Sequence, residues 1–304
     1  MTKIKYIIVK MLSFLHRFVR FLSTYFGYTL YIFTKNRVLF SYLFVDKDLV
    51  NSTDLNDDTV KWINLDSNTQ NKFLLEGTSE YIDKHINEIE KIEFIYDKNL
   101  LDMFIKKADK KYNFYYGETD KYLFEYLDNF SIKNKNVAIL GSTVPWYEAI
   151  VLSRMGYPFT FEYNEIQTND NRLTTYKFEE WSTNTQKFDV VFSISSFEHD
   201  GLGRYGDPIN PDGDILAMKS VKENLINKNG VLVLSVPIGR DAVAFNAHRI
   251  YGKTRFKKLT EGFKVVKSYG FEESQFDRYK TSGNISTKKN SEWPFQPIFI
   301  LKPE

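Results

Sequence analysis

Residues 188–214 read FDVVFSISSFEHDGLGRYGDPINPDGD. The opening FDVV is apolar and β-branched, the composition of a buried strand. Beyond Asp214 the period becomes helical, with Ile215, Met218, Val221, Leu225 and Ile226 on one face. Between strand and helix stand four glycines, two prolines, five acids, a histidine and an arginine. In an open α/β sheet, ligands bind at the loops leaving the carboxyl ends of the strands. A loop this rich in ionisable and turn-forming residues is expected to belong to a site, against the plainer reading of a solvated surface loop.

Outward from this loop, strand and helix alternate. Residues 137–140 read as a first strand and Gly141 opens a turn. A helix over 147–155 has Gly156 as its C-cap. Residues 159–162, 173–176, 190–194 and 231–236 continue the series as the second to fifth strands, the third, at 173–176, being the weakest. Residues 264–269 and 297–301 supply the sixth and seventh strands. No long helix separates that pair, so the last strand is expected to be antiparallel. The predicted fold class is α/β, a mostly parallel doubly wound sheet preceded by a helical N-terminal region.

Three segments follow: a leader over 1–45, a helical accessory region over 46–130, and the α/β domain over 131–304. The leader carries seven Lys/Arg and no acid, leaving the remainder of this +2 chain at −5 (+2 less +7). Ile4, Ile7, Ile8, Met11, Leu15 and Phe18 recur at helical spacing opposite Lys5, Lys10, Arg17 and Arg20, the pattern of a basic interfacial helix. The uncharged run 21–34 is 14 residues, short of the about 20 that span a bilayer. The expectation is a cytoplasmic protein touching the inner face of a membrane through residues 1–45; a helix packed on its own domain is the alternative. Residues 70–130 read as short helices without chemistry. Cysteine is absent, which excludes disulfides and thiolate chemistry. The small net charge gives no reason to expect a nucleic-acid partner.

The loop after the first strand, Gly141 to Trp146, holds one glycine, and Pro145 removes an N–H donor. A pyrophosphate cradle needs G-x-G-x-x-G, so a dinucleotide is disfavoured. S-adenosylmethionine carries no phosphate and needs an acid for its ribose hydroxyls, a part that Glu162 at the end of the second strand can play. The competing reading is a tight turn and a surface glutamate.

GSTVPWYEAI, FEYN, SSFEHDGLGRYGDPINPDGD and VPIGRDAVAFNAHRIYG closely resemble the DUF268 family, over about residues 137–270. The resemblance implies a Rossmann-like, methyltransferase-type fold and S-adenosylmethionine as cofactor. The family pattern matches at Gly141, Trp146, Glu162, Glu198, His199, Arg204, Asp207, Asp241, Asn246, His248 and Arg249. The first loop departs from the usual methyltransferase glycine motif.

Gly141, Trp146, Glu162 and Ser196 are the candidate cofactor contacts. His199 is the candidate general base, with a reference pKa of about 6.5. Glu198 or Asp200 would orient it, and His248 could exchange roles with it. The alternative is a histidine that satisfies loop backbone. Asp212-Gly213-Asp214 resembles the D-x-D clamp of a nucleotide-sugar transferase, but Asn210-Pro211-Asp212-Gly213 is a turn and Asp214 is placed to cap the next helix. No metal is expected. Arg204, Asp207, Asp241, Asn246 and Arg249 are the candidate substrate contacts, although each arginine could equally pair with Asp207 or Asp241. The expected activity is methyl transfer to a hydroxyl on a small molecule or glycan. A non-catalytic binding or scaffold domain and a glycosyl- or nucleotide-sugar transferase are the alternatives.

Overall fold

The computed structural model describes residues 60–86, 94–181, 186–278 and 295–304. The expected amphipathic leader over 1–45 lies outside the described residues. Asp66 accepts from Thr69 N at 3.0 Å and so caps α1 (Ser67–Phe73). After α1 come β1 (Glu80–Lys84) and β2 (Phe94–Tyr96). Asp97 then caps α2 (Lys98–Asp109), and α3 (Glu118–Asn129) follows. The sequence led us to expect helices alone over 70–130. β1 and β2 are too short to announce themselves, and each exists by pairing with a strand far along the chain.

The α/β alternation begins with β3 (Asn136–Leu140), α4 (Trp146–Ser153), β4 (Tyr157–Glu162), β5 (Ile166–Thr168) and β6 (Thr174–Lys177). It continues through β7 (Phe188–Ile194), α5 (Gly213–Ser220) and β8 (Ile226–Ser235). The chain closes with β9 (Ala242–Asn246), β10 (His248–Ile250), α6 (Lys253–Leu259), β11 (Phe263–Tyr269) and β12 (Ile298–Pro303). Ile226, expected on the helix, instead opens β8, because a π-helical turn over Val221–Leu225 ends the helical stretch. Past α4 the left-handed position is taken by Met155, φ 59°, rather than by Gly156. Gly156 is needed for another reason: a Cβ there would lie 2.9 Å from Val151 Cγ1 and 3.1 Å from Ile132 O.

Seven strands form the main sheet in the order β11-β12-β8-β7-β3-β4-β6. β6, β4, β3, β7 and β8 run parallel, whereas β12 is antiparallel to both β8 and β11. In the sheet's own count this is 6-7-5-4-1-2-3, the arrangement of a Rossmann-like, methyltransferase-type fold with its reversed seventh strand. β3 and β7 are buried almost throughout, as central parallel strands covered on both faces must be. The strand order reverses between them, so the crevice beyond their carboxyl ends is the expected ligand position.

Two small sheets brace this crevice. β1 pairs in parallel with β9, which pairs antiparallel with β10, and β2 pairs in parallel with β5. Trp146, at the start of α4, is fully buried, with its ring centroid 5.7, 5.2 and 6.3 Å from those of Phe104, Phe114 and Phe124. No helix among the described residues is long and apolar enough to cross a membrane.

Candidate functional site

The crevice is made by three strand ends. Gly141 follows β3 at φ +69°, and a Cβ there would fall 2.3 Å from Ser196 Oγ. Only glycine lets the β3 and β7 loops approach so closely. Glu162 ends β4, where its Oε1 accepts from the amides of Tyr163 at 2.9 Å and Asn164 at 3.3 Å. Oε2 has no partner among the described residues. Burial pushes this carboxyl up to about 7. β7 gives way to Ser195 at φ 56°, then to a 3-10 turn over Phe197–His199.

These ends line a small cleft that is partly open to solvent. Gly141, Glu162 and Ser196 line it together, joined by Tyr163, Phe178 and Asp200. Tyr163 and Phe178 stack with ring centroids 4.1 Å apart. Trp146, the fourth expected cofactor contact, does not line the cleft. Its side chain points into the α2–α3 interface, and the position is core.

The expected catalytic trio is brought together beside the cleft. Ser195 Oγ donates to Glu198 Oε1 at 2.6 Å, and Gln296 Nε2 donates to Ser195 Oγ at 3.0 Å. Burial pushes the Glu198 carboxyl up to about 7. His199 Nδ1 lies 2.6 Å from Ala247 O, while Nε2 lies 3.8 Å from Glu198 Oε1. The His199 ring meets Tyr205 and His248 edge-on, with centroids 5.6 and 6.5 Å away. Because a carbonyl can only accept, the network assigns the proton to Nδ1 and the lone pair to Nε2. The orienting group is therefore the Ala247 carbonyl, not Glu198 or Asp200 as expected. Burial first, then the Arg204 charge, push the imidazole down to about 3, so it is neutral where its reference value would leave it partly charged.

Most of the expected substrate contacts hold backbone instead. Arg249 donates to the carbonyls of Asp200 at 2.5 Å and of Asn210 and Pro211 at 3.2 Å each, closing the long loop on itself. Buried carbonyls need donors, and a guanidinium supplies several at once. Asp241 accepts from the amides of Gly252, Thr254 and Arg255 at 2.7, 3.0 and 3.0 Å, anchoring the start of α6. Asn246 bonds both the N–H and the carbonyl of Ile86, at 2.8 and 3.1 Å. Asp207 accepts from Gly203 and Tyr205 amides. Arg204 lies over the Tyr205 ring at 5.0 Å, next to His199. Asp214 is not the helix cap that its position suggested. It is fully buried against Arg255, to which its Oδ2 bonds at 3.0 Å, and it accepts from Tyr251 OH at 2.9 Å. Burial alone would raise its pKa; Arg249, Arg255 and Tyr251 outweigh that and hold it below the ordinary value.

Among the described residues no group of three or more His, Asp or Glu is placed to hold a metal ion. Sequence reasoning missed Tyr163 and Phe178 as cleft residues and gave Asp200 the part of orienting His199. It missed Gln296 entirely, because only the antiparallel return of β12 brings that residue to the loop.

The family model described as "Caenorhabditis protein of unknown function, DUF268" matches residues 134–302. The chain belongs to the DUF268 family. No curated protein matches this DUF268 chain. Among solved structures it is similar to a TehB-like SAM-dependent methyltransferase from Corynebacterium glutamicum, at 9% identity and TM-score 0.37, covering 68% of this chain and 97% of that one. It is also similar to a SAM-dependent methyltransferase of the DUF858 family from Leishmania major, at 10% identity and TM-score 0.40, covering 67% and 83%. A third is a putative RNA methyltransferase from Pyrococcus horikoshii, at 12% identity and TM-score 0.35, covering 68% and 97%. With scores this low, the fold of the DUF268 chain rests on its own strand order.

Proposed function

We propose that this protein is an S-adenosylmethionine-dependent methyltransferase acting on a hydroxyl of a small molecule or glycan. The observation that carries the reading is the cleft at the β3/β7 switch point, walled by Gly141 and ended by Glu162, which keeps one carboxylate oxygen unengaged. A ribose offers paired hydroxyl donors to such an acid. The lone glycine and Pro145 give no cradle for a pyrophosphate, which favours a phosphate-free nucleoside.

Once bound, S-adenosylmethionine supplies an electrophilic methyl group on a sulfonium. The Glu162 carboxylate holds the ribose, and Gly141 admits the ligand close to the backbone. His199, neutral and with the Nε2 lone pair free, would accept the acceptor's hydroxyl proton there, and the Ala247 carbonyl holds the ring in place by accepting from Nδ1. In-line positioning supplies much of the remaining rate.

Calorimetric titration of the full chain with S-adenosylhomocysteine, NAD and UDP-sugars tests the reading. Binding of the first alone supports it; tight binding of NAD or a UDP-sugar, with none of S-adenosylhomocysteine, overturns it. Contact of residues 1–45 with an anionic membrane surface belongs to the same proposal and rests on their acid-free basic composition. Co-sedimentation with anionic liposomes should be lost in a chain beginning at Asp46.

A further inference from the structure

The turn after β7 puts one carboxylate into the cleft with no task in the scheme above. Asp200 lines the same space as Gly141, Glu162 and Ser196. Its backbone is fully used: N–H donates to Phe197 O at 3.2 Å, and its carbonyl accepts from Arg249 at 2.5 Å. Its side-chain oxygens accept no hydrogen bond from any described residue, and charges alone reach them. Neighbouring acids are treated differently. Glu148 accepts from Thr160 at 2.7 Å and Ser142 at 3.1 Å, Asp207 from two amides, and Asp241 from three. Asp200 is half-buried, so a carboxylate that no protein donor holds is open to a ligand entering the cleft.

The placement says which part of the ligand. Glu162 lies on the β4 side, where the nucleoside is held. Asp200 follows β7 and directly adjoins His199, on the side where the acceptor must lose its proton. The transferred methyl, and hence the sulfur, lies between the nucleoside and that base. Burial first, then the charge of Asp207, raise the Asp200 carboxyl well above its ordinary value, and Arg249 pulls the other way without outweighing them.

We propose that Asp200 is the specificity-determining residue by which the cleft prefers the cationic sulfonium donor over its neutral thioether product. The inference rests on the cofactor reading given above. Donor and product share the nucleoside and the amino-acid tail and differ by one methyl and one positive charge. A carboxylate beside the sulfur therefore favours one and not the other. Its effect is to expel product once the charge has gone.

Calorimetry on the full chain with S-adenosylmethionine and S-adenosylhomocysteine tests this in the wild type, Asp200→Asn and Glu162→Gln. The wild type should prefer the donor by about tenfold, the scale of one partly screened charge pair. Asp200→Asn should bring the preference near unity while holding product affinity within about twofold. Glu162→Gln should weaken both ligands together and leave their ratio unchanged. An Asp200→Asn protein with the wild-type ratio overturns the inference while leaving the cofactor reading intact. A wild type that binds neither ligand removes the cofactor reading, and this inference with it. If Asp200→Asn fails to fold by circular dichroism, Asp200→Glu, which keeps the charge, should keep the donor preference and Asp200→Ser should lose it; an Asp200→Ser protein with the wild-type ratio overturns it.

Discussion

The Nδ1 nitrogen of His199 and the carbonyl oxygen of Ala247 lie 2.6 Å apart, joining the turn after β7 to the tight link between β9 and β10. That one bond fixes the tautomer and leaves Nε2 as the only basic atom of the ring. Replacement by Gln should cut kcat by about 10²–10⁴ and leave cofactor affinity nearly unchanged. The ring is pushed down to about 3 by burial and Arg204, so kcat should show no inflection near 6.5. A kcat profile that inflects there would contradict the assignment.

Glu162→Ala should weaken S-adenosylhomocysteine by about 1.5–3 kcal/mol, the worth of bonds to a charged acceptor. Calorimetry reads this directly. The same variant also frees the Tyr163 and Asn164 amides, so Glu162→Gln, which keeps an acceptor for them, separates loop support from ribose binding.

Stability should fall as pH rises from about 4.5 to about 7. Burial lifts Glu148, Glu162 and Glu198 to about 7 and Asp120 to about 6 in the folded chain. Across that window the folded state holds more protons than the unfolded one, so raising the pH favours unfolding. His199 acts oppositely: its folded value is depressed, and it costs stability as pH falls from 6.5 towards 3. Four acids outweigh one histidine between pH 5 and 7. Thermal melts should therefore be higher at pH 5.5 than at pH 8, and Glu148→Gln should reduce the difference.

Asp214→Asn should destabilise the fold by about 3–5 kcal/mol in denaturant titration, since it strands the buried Arg255 and weakens the hold on Arg249. The loss would come without any direct contact with ligand, and an Asp214→Asn chain as stable as the wild type would show that the Arg255 pair contributes little.

The parallel core was legible because its strands are long, β-branched and separated by helical periods. Even the reversed last strand could be read, because the sequence between residues 269 and 297 carries no long helical period. Glu162 and Gly141 were legible as cleft residues because each stands at the carboxyl end of a strand. Trp146 was misplaced because nothing in its own neighbourhood shows that Phe104, Phe114 and Phe124 come from elsewhere to cover it. Arg249 and Asp241 looked like ligand contacts because loop carbonyls and helix amides, their actual partners, leave no mark in side-chain sequence. The depressed basicity of His199 depends on Arg204 and on burial together, and neither is visible in the letters Glu-His-Asp.

The burial of Trp146 has a bearing on how this protein can be cut, fused or inherited. The family match begins at residue 134, but Leu55–Glu304 is one compact unit, and α2 and α3 supply the walls around that indole. A chain started at the family boundary would present a bare indole and the apolar face of α4 to water. Any gene fusion, crystallisation fragment or recombinant chimera therefore has to carry the upstream helices together with the matched region.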